Sequence, residues 1–390
     1  MTEHGVGRHR NPMGRDSRFE LLRIGAMFLI VLCHVVVYNG WALEDAPGVR
    51  GSLAIAVDQY GGQVGVSLFF MLSGYFLVGK PPRRGRITKV LVQTFLYSVA
   101  CFIAAVALAP TGPAVSVRDW YMTFLPFLND VYWFITAYVL MMAFYPFLNM
   151  LFEHCTGRSM LTFIALLLSL SVIPYVSFTG FRYNGLFWTT VVYAVCGYCV
   201  GGWIRLYGSR VWDRPACRLP WVLVGGCAGF VLLAMFVHAA REQWGPARFF
   251  SWQVRSIYGS FPLFAIEFAA MLLLWVARVS SDHGAGEHPT LSRVINAVAA
   301  STFGVYLIHQ NPYASFRLIW PALSSILPSP PHGFIAITAF LTVETIVLFA
   351  VLSLASMVYD RILVRPMQRL VLKVLPGMNN GGHPLTHARH

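Results

Sequence analysis

The chain has 390 residues, of which 57% are hydrophobic and only 12% are charged, and its mean hydropathy is +0.61. A soluble domain carries about twice that share of charge, so a string of soluble domains is excluded. The formal net charge of +13 would suggest nucleic acid in a soluble chain, but in a membrane protein it is first interpreted loop by loop.

Long apolar stretches recur along the whole chain and predict an all-α polytopic membrane protein. A helix needs about 20 mostly apolar residues to cross the hydrocarbon core of a bilayer. The sequence predicts about ten helices of this kind, at residues 20–39, 62–79, 88–109, 132–152, 159–177, 186–206, 219–239, 257–278, 297–320 and 334–358. We expect the ninth of these stretches to be broken, because Pro312 and Pro321 each remove a backbone donor.

The distribution of basic residues predicts the orientation of these helices. Most of the 29 Lys and Arg residues lie in the two tails and the even-numbered connections. Because cytoplasmic loops are enriched in Lys and Arg, both termini are predicted to be cytoplasmic. The predicted organisation is a cytoplasmic tail at 1–18, a single transmembrane domain at 19–360, and a basic, partly disordered cytoplasmic tail at 361–390. The charge is then explained without a nucleic-acid partner.

The seven cysteines do not indicate a disulfide framework or a metal site. Cys196 and Cys199 have the spacing of a redox pair, but they lie in an apolar helical stretch without the βαβ context of that motif. We interpret them as small buried residues. The spacing of Cys and His shows no zinc-type cluster, and no permanently bound cofactor is expected.

Two histidines lie inside predicted spans. His34 is ~21 Å along the first helix and His309 is ~18 Å along the ninth, by the helical rise. Both helices run outward in this topology, so the two imidazoles are predicted at similar depth. Either histidine can be a hydrogen-bonded packing residue, but an ionisable residue within the membrane is also a functional hypothesis. Histidine suits proton transfer because its ordinary pKa is close to neutrality.

Two glutamates also fall near the middle of predicted spans. Glu267 is in the eighth stretch and Glu344 in the tenth. They can pair with each other, with Arg255, or with polar groups lining a cavity. The alternative is a protonated carboxyl that hydrogen-bonds between helices.

A run of basic residues follows the second span. It includes Lys80, Arg83, Arg86 and Lys89. Such a run can be a topology signal that interacts with anionic membrane lipid. It can also be a cytoplasmic phosphate clamp, for which arginine is well suited and which would fit a nucleotide-containing donor such as coenzyme A.

Three segments together resemble the acyltransferase-3 family of integral membrane acyltransferases. The first contains Glu20 and the Arg-x10-His spacing from Arg23 to His34. The second is the apolar stretch from Gly65 through Ser73-Gly-Tyr75, followed by Arg83-x-x-Arg86. The third is Tyr306-Leu-Ile-His309-Gln-Asn311-Pro312, in which Gln310 stands where similar members often have Asp. The resemblance covers roughly residues 16–358 and is greatest to members that modify bacterial surface polysaccharides.

The resemblance implies transfer of an acyl group, commonly acetyl from acetyl-CoA, to a hydroxyl of an extracytoplasmic glycan or lipid-linked sugar. The implied donor-binding residues are Arg23, Arg83 and Arg86. His34 is implied as general base or as a covalent acyl carrier, and His309 as a second catalytic residue. The implied supporting or pore-lining residues are Glu20, Ser73, Tyr75, Trp133, Glu267, Asn311 and Glu344. The implied location is the cytoplasmic membrane of a bacterium.

A different functional class remains open at the level of the sequence. A transporter or flippase for a glycan-linked lipid can also use ten spans and buried glutamates, although we find no duplicated halves. A small-molecule exporter or a structural partner would explain Glu267 and Glu344. An exporter or structural partner gives no reason for the spacing between Arg23 and His34.

Overall fold

The computed structural model describes residues 16–109, 114–127, 132–176, 189–251, 262–282 and 289–374, without the side chains of Arg84 and of residues 172–176. The regular elements in this part of the chain are all helical. They are α1 Ser17–Tyr38, α2 Gly48–Val57, α3 Gln63–Leu77, α4 Arg84–Leu108, α5 Val117–Phe124, α6 Trp133–His154, α7 Gly157–Val176, α8 Thr190–Tyr207, α9 Leu219–Arg241, α10 Leu263–Asp282, α11 Pro289–His309, α12 Pro312–Ala314, α13 Trp320–Ile326, α14 Phe334–Tyr359 and α15 Arg365–Val374.

The helices confirm an all-α polytopic membrane protein. Each predicted apolar stretch coincides with a helix, apart from its residues 177, 186–188 and 257–261, which lie outside the described residues. By length and composition, seven helices within the described ranges can cross a membrane: Ser17–Tyr38, Gly85–Leu108, Trp133–His154, Leu219–Arg241, Leu263–Asp282, Pro289–His309 and Phe334–Val374. The total of ten spans stays a prediction.

Three helical runs differ in their limits from the predicted stretches. The second begins earlier, because α2 continues through a π-helical segment, Asp58–Gly62, into α3. The ninth begins at Pro289 and ends at His309, and the expected break comes immediately before Pro312. The last continues through the π-helical segment Asp360–Val364 into α15, past the predicted domain limit at residue 360. Residues 375–390 of the predicted, partly disordered tail lie outside the described residues.

Helix α3 lies in the centre of the bundle, in close contact with α8. A Cβ atom at Gly74 would collide with the carbonyl oxygen of Tyr198, and one at Gly201 would collide with that of Met71. Small residues allow membrane helices to approach this closely. The Ser-Gly-Tyr element is therefore held against α8 by its own glycine.

Helices α1 and α11 run parallel with a constant register. The hydroxyls of Ser17 and Ser292 contact each other near one end, and His34 contacts His309 near the other. Both pairs are 275 residues apart in the chain. The two helices therefore advance together, and this register carries the two histidines to the same depth.

The arginine-rich ends of several helices meet at one end of the molecule. The ring of Phe19, at the start of α1, lies 5.0 Å from that of Tyr75, at the end of α3. The Tyr75 hydroxyl accepts a hydrogen bond of 3.2 Å from Arg205, at the end of α8. We refer to this as the basic end, which the positive-inside rule assigns to the cytoplasm.

Candidate active site

Two histidines face each other inside the bundle. The Nε2 atom of His309 lies 3.1 Å from Nδ1 of His34, and their ring centroids are 5.1 Å apart. His309 is buried at 1% exposure, whereas His34 is only partly buried. His34 thus presents the accessible side of the pair, and His309 lies behind it.

Hydrogen-bond donors and acceptors give this pair a direction. The Nδ1 atom of His309 lies 2.6 Å from the carbonyl oxygen of Val305. A carbonyl can only accept, so this nitrogen carries the proton of the neutral ring and Nε2 is an acceptor. His34 then donates from Nδ1 to His309, which leaves the lone pair of its own Nε2 available. A histidine oriented in this way is suited to accept a proton from a substrate.

A helix break positions the second histidine. The helix α11 ends at His309, and Asn311 caps the next turn by accepting hydrogen bonds from the backbone N–H groups of Tyr313 and Ala314, both at 3.0 Å. Its side-chain amide donates to the hydroxyl of Tyr132 at 2.9 Å, and this hydroxyl donates to the carbonyl of Leu307 at 3.0 Å. Asn311 is fully buried, so it supports the break and does not line a cavity.

Gln310 is a member of the site that sequence reasoning did not select. Its side-chain nitrogen lies 2.8 Å from Nε2 of His34 and 2.9 Å from Nδ1. The amide can donate to the Nε2 lone pair, so it occupies the position that a substrate hydroxyl would take. The sequence did offer one signal for Gln310. It lies between a candidate histidine and the segment Asn311-Pro312, before which a helix is expected to end.

Aromatic rings connect the histidines with the basic end. Tyr306 lies 5.9 Å from His309 and 5.3 Å from Phe134, and Phe134 lies 6.3 Å from Tyr138, all between ring centroids. The Tyr138 hydroxyl lies near the hydroxyl of Ser73 and within electrostatic range of Arg23 and Arg86. The predicted donor-binding arginines are therefore connected to the histidines by side chains of α3, α6 and α11.

Helix α6 holds the predicted basic segment in place. Tyr145 donates to the carbonyl of Pro81 at 3.0 Å, and Asn149 donates to the carbonyls of Leu77 and Lys80 at 3.1 and 3.2 Å. Arg86 lies within electrostatic range of the Tyr145 hydroxyl. The connection between α3 and α4 is thereby fixed against the bundle.

Positive charge accumulates at this connection. Burial, together with repulsion from Arg86, Arg205 and Arg83, lowers the pKa of Lys80 below its ordinary value. The Nη1 atom of Arg86 is buried without a hydrogen-bond partner among the described residues. Such a cluster is suited to bind phosphate, which accepts hydrogen bonds from several arginines at once. Arg205 belongs to it in space, although its position at the end of the sixth predicted span indicated only topology.

Four more of the predicted site residues occupy the basic end of the bundle, whereas Trp133 lies at the other end of α6. Arg23 forms an ion pair with Glu20 one turn earlier on α1. Arg83 is exposed at the start of α4, while Tyr75 is buried beneath Arg205, which stacks on its ring at 5.1 Å. Trp133 is partly buried at the start of α6, with its ring against Phe134.

The two predicted intramembrane glutamates are not brought together. Glu267 is exposed on α10, whose buried residues include Ala265, Ala269 and Leu273. Its role as a supporting or pore-lining residue stays a prediction. Glu344 is 7% exposed on α14, with its Oε2 atom lacking a hydrogen-bond partner among the described residues.

The fold and site together define a multi-pass membrane protein with paired interior histidines and a basic cluster at one end. The family model of an acyltransferase domain matches residues 16–354, nearly the whole chain. The chain belongs to the acyltransferase-3 family, and the protein is a membrane acyltransferase. No curated protein and no solved structure matches the chain.

Proposed function

We propose that the protein transfers an acyl group of the acetyl class from cytoplasmic acyl-CoA to a hydroxyl of an extracytoplasmic cell-surface glycan or lipid-linked sugar. The observation that carries the proposal is the connection from Arg23 and Arg86 through Tyr138, Phe134 and Tyr306 to the histidines. It relates a cytoplasmic anion-binding cluster to a candidate base deep in the bundle. The bacterial cytoplasmic membrane is the proposed location.

The basic cluster is the proposed site for the nucleotide end of coenzyme A. Its phosphates require several cationic donors, and Arg86 has a buried nitrogen that is unpartnered among the described residues. Arg23 and His34 are ~16 Å apart along α1 by the helical rise. The extended pantetheine arm is suited to bridge a separation of this kind, so that the thioester lies beside His34.

His34 is the proposed general base. Its Nε2 atom accepts the proton of the sugar hydroxyl while the hydroxyl oxygen attacks the thioester carbon. The resulting tetrahedral intermediate expels the coenzyme A sulfur, which leaves as a thiolate and takes the proton back from His34. The products are an O-acyl sugar and free coenzyme A, with no net change of protons. His309 supports the step by accepting from His34 Nδ1.

The proposal is tested by measuring glycan acylation in cells. A strain lacking the protein is complemented with wild type, His34→Ala, or His154→Ala, whose exposed histidine at the end of α6 makes it a matched control. NMR or mass analysis of the surface glycan should detect the acyl group with wild type and His154→Ala only. Full acylation by His34→Ala at normal membrane abundance would disprove the assignment of the base.

A second measurement tests the donor site. We expect the double variant Arg83→Ala and Arg86→Ala to lose binding of acetyl-CoA to the purified protein, because two phosphate ligands are removed. The double variant Arg210→Ala and Arg214→Ala is the control, since both arginines are exposed at the basic end outside the cluster. Unchanged binding by the first pair would reduce the cluster to a topology signal. A transporter or flippase would leave its cargo chemically unchanged and would work without acetyl-CoA.

A further inference from the structure

An apolar cavity lies on the side of α1 away from the histidines. It has a volume of about 450 Å³ and is enclosed by α1, α2, α9 and α14. We propose that it binds one hydrocarbon chain of an anionic lipid from the extracytoplasmic leaflet, with the phosphate of the lipid headgroup at Arg50. This site is separate from acyl transfer and does not depend on its mechanism.

The depth of the cavity matches one leaflet of a membrane. Its lining residues extend along α2 from Val49 to Val57 and along α14 from Phe334 to Thr342. Each run covers ~12 Å of helical rise. The hydrocarbon core of a bilayer is about 30 Å thick, so one leaflet contributes about 15 Å. Both helices begin at the end opposite the basic end, and the cavity therefore extends from the outer interface toward the midplane.

The polarity of the cavity follows the polarity of a lipid. Arg50 is exposed in the first turn of α2, two residues after the helix begins at Gly48. It is the charged residue among those that line the cavity. The deep end is formed by apolar side chains that include Leu32, Val57 and Leu341. Arginine binds phosphate well, whereas the deep end offers only apolar contact.

The two threonines of the lining do not change this conclusion. The Thr338 hydroxyl donates to the carbonyl of Phe334 at 2.9 Å, and the Thr342 hydroxyl donates to the carbonyl of Thr338 at 2.7 Å. Their hydroxyl protons are used within α14, so they offer no donor to a ligand. The occupant that fits is apolar along its length and anionic at its outer end.

The cationic rim and the apolar interior together favour a lipid over a free ion. A free phosphate ion would contact Arg50 but leave the apolar interior empty, and a lipid satisfies both parts.

The cavity and the histidines lie on different faces of α1. Leu32 and Val36, which line the cavity, are four residues apart and share one face. His34 lies two residues from each, about 200° around the helix, and contacts α11. A lipid in the cavity therefore does not occupy the acyl-transfer site.

The test is native mass spectrometry of the full chain with phosphatidylglycerol or phosphatidylcholine of identical chains. We expect wild type to bind phosphatidylglycerol more tightly. Arg50→Gln should weaken that binding about fivefold and weaken phosphatidylcholine binding less, because phosphatidylglycerol is anionic whereas the choline cation of phosphatidylcholine already neutralises its phosphate. Arg118→Gln is the matched control, since Arg118 is exposed on α5 and does not line the cavity.

A second variant tests the chain-binding part. Thr342→Phe fills the deep end from an exposed position and should weaken binding of both lipids, whereas Ile346→Phe, one turn further along α14 and outside the lining, should not. If Thr342→Phe fails to fold, Thr338→Phe, also exposed and lining, replaces it. Unchanged phosphatidylglycerol binding by Arg50→Gln, or unchanged binding by the folded phenylalanine variant, overturns the proposal. Acylation is unaffected by either result, so this failure is distinct from failure of the acyl-transfer proposal.

Discussion

At the scale of single residues, the site consists of one histidine that is accessible and one that orients it. The carbonyl of Val305 orients the ring of His309 by accepting a hydrogen bond from its Nδ1. His309 in turn orients His34, because its Nε2 lies 3.1 Å from Nδ1 of His34. When both rings are neutral, the backbone carbonyl of Val305, and not a carboxylate, therefore determines which nitrogen of each ring carries the proton. We infer that His309 is a positioning residue whose effect is exerted through His34.

The variants His309→Leu and His309→Gln test this role. Leucine removes the acceptor for His34 Nδ1, so we expect kcat for acyl transfer to fall about 10–100-fold. Glutamine retains an acceptor oxygen and should recover part of that loss. In both variants the KM for acyl-CoA should change less than about twofold, because the donor cluster is untouched. The measurement is steady-state transfer by the purified protein in lipid nanodiscs.

The contrast between the two variants decides the outcome. Equal losses of kcat in the leucine and glutamine variants would show that His309 does not act by accepting a hydrogen bond from His34. A rise in KM with kcat unchanged would place His309 in substrate binding instead.

Asn311 offers a prediction about stability. It accepts two backbone hydrogen bonds and donates one to Tyr132. Asn311→Ala should lower the free energy of unfolding by about 1–2 kcal/mol for the lost cap, and further because a buried hydroxyl loses a partner. Tyr132→Phe leaves both capping hydrogen bonds in place, removes the hydrogen bonds of Tyr132 with Asn311 and with the Leu307 carbonyl, and should cost less. Unfolding by SDS from detergent micelles measures both, and a Tyr132→Phe loss as large as that of Asn311→Ala would contradict the capping role.

At the scale of elements, local breaks in the helices place the site. The chain stops helix α11 at His309 because Pro312 cannot continue it, and Asn311 starts the next turn. This break was visible in the sequence. The register between α1 and α11 was not, because it depends on side chains along the whole length of both helices.

The apolar character of membrane helices limits what their sequence shows. Helices that are hydrophobic on all sides give no clear indication of which face is buried. Glu267 is exposed, whereas Glu344 and His309, which also interrupt apolar stretches, are buried. A polar residue in an apolar stretch therefore indicates a possible function but not a direction.

The contact between α3 and α8 gives a prediction at this scale. Gly74→Ala and Gly201→Ala each place a methyl group against the backbone of the other helix. We expect each to lower the free energy of unfolding by about 1–3 kcal/mol, the usual cost of overpacking. Gly25→Ala is the control, since a Cβ there meets nothing within 4 Å. SDS unfolding measures the three variants, and an equal effect at Gly25 would mean that the contact is not responsible.

At the scale of the whole molecule, the gathered arginines set the orientation. We expect the connection between α3 and α4 to face the cytoplasm and the connection between α1 and α2 to face outward. In a chain whose seven native cysteines are replaced, a membrane-impermeant maleimide should label Asp45→Cys in intact cells. It should label Pro82→Cys only after permeabilisation. Both native residues are exposed. The reverse pattern would invert the topology and with it the proposed direction of acyl transfer.

The sequence by itself determined the membrane class, the apolar stretches, the break before Pro312 and the family resemblance. These features follow from composition and local chemistry, which act over a few residues. Only the tertiary structure decided that His34 meets His309, that Gln310 joins them, that Arg205 shares the basic cluster, and that Glu267 is exposed. These contacts join segments as far as 276 residues apart, and they depend on helix rotation and register. Helices that are apolar on every side do not encode that rotation locally, so it is set by how the whole bundle packs.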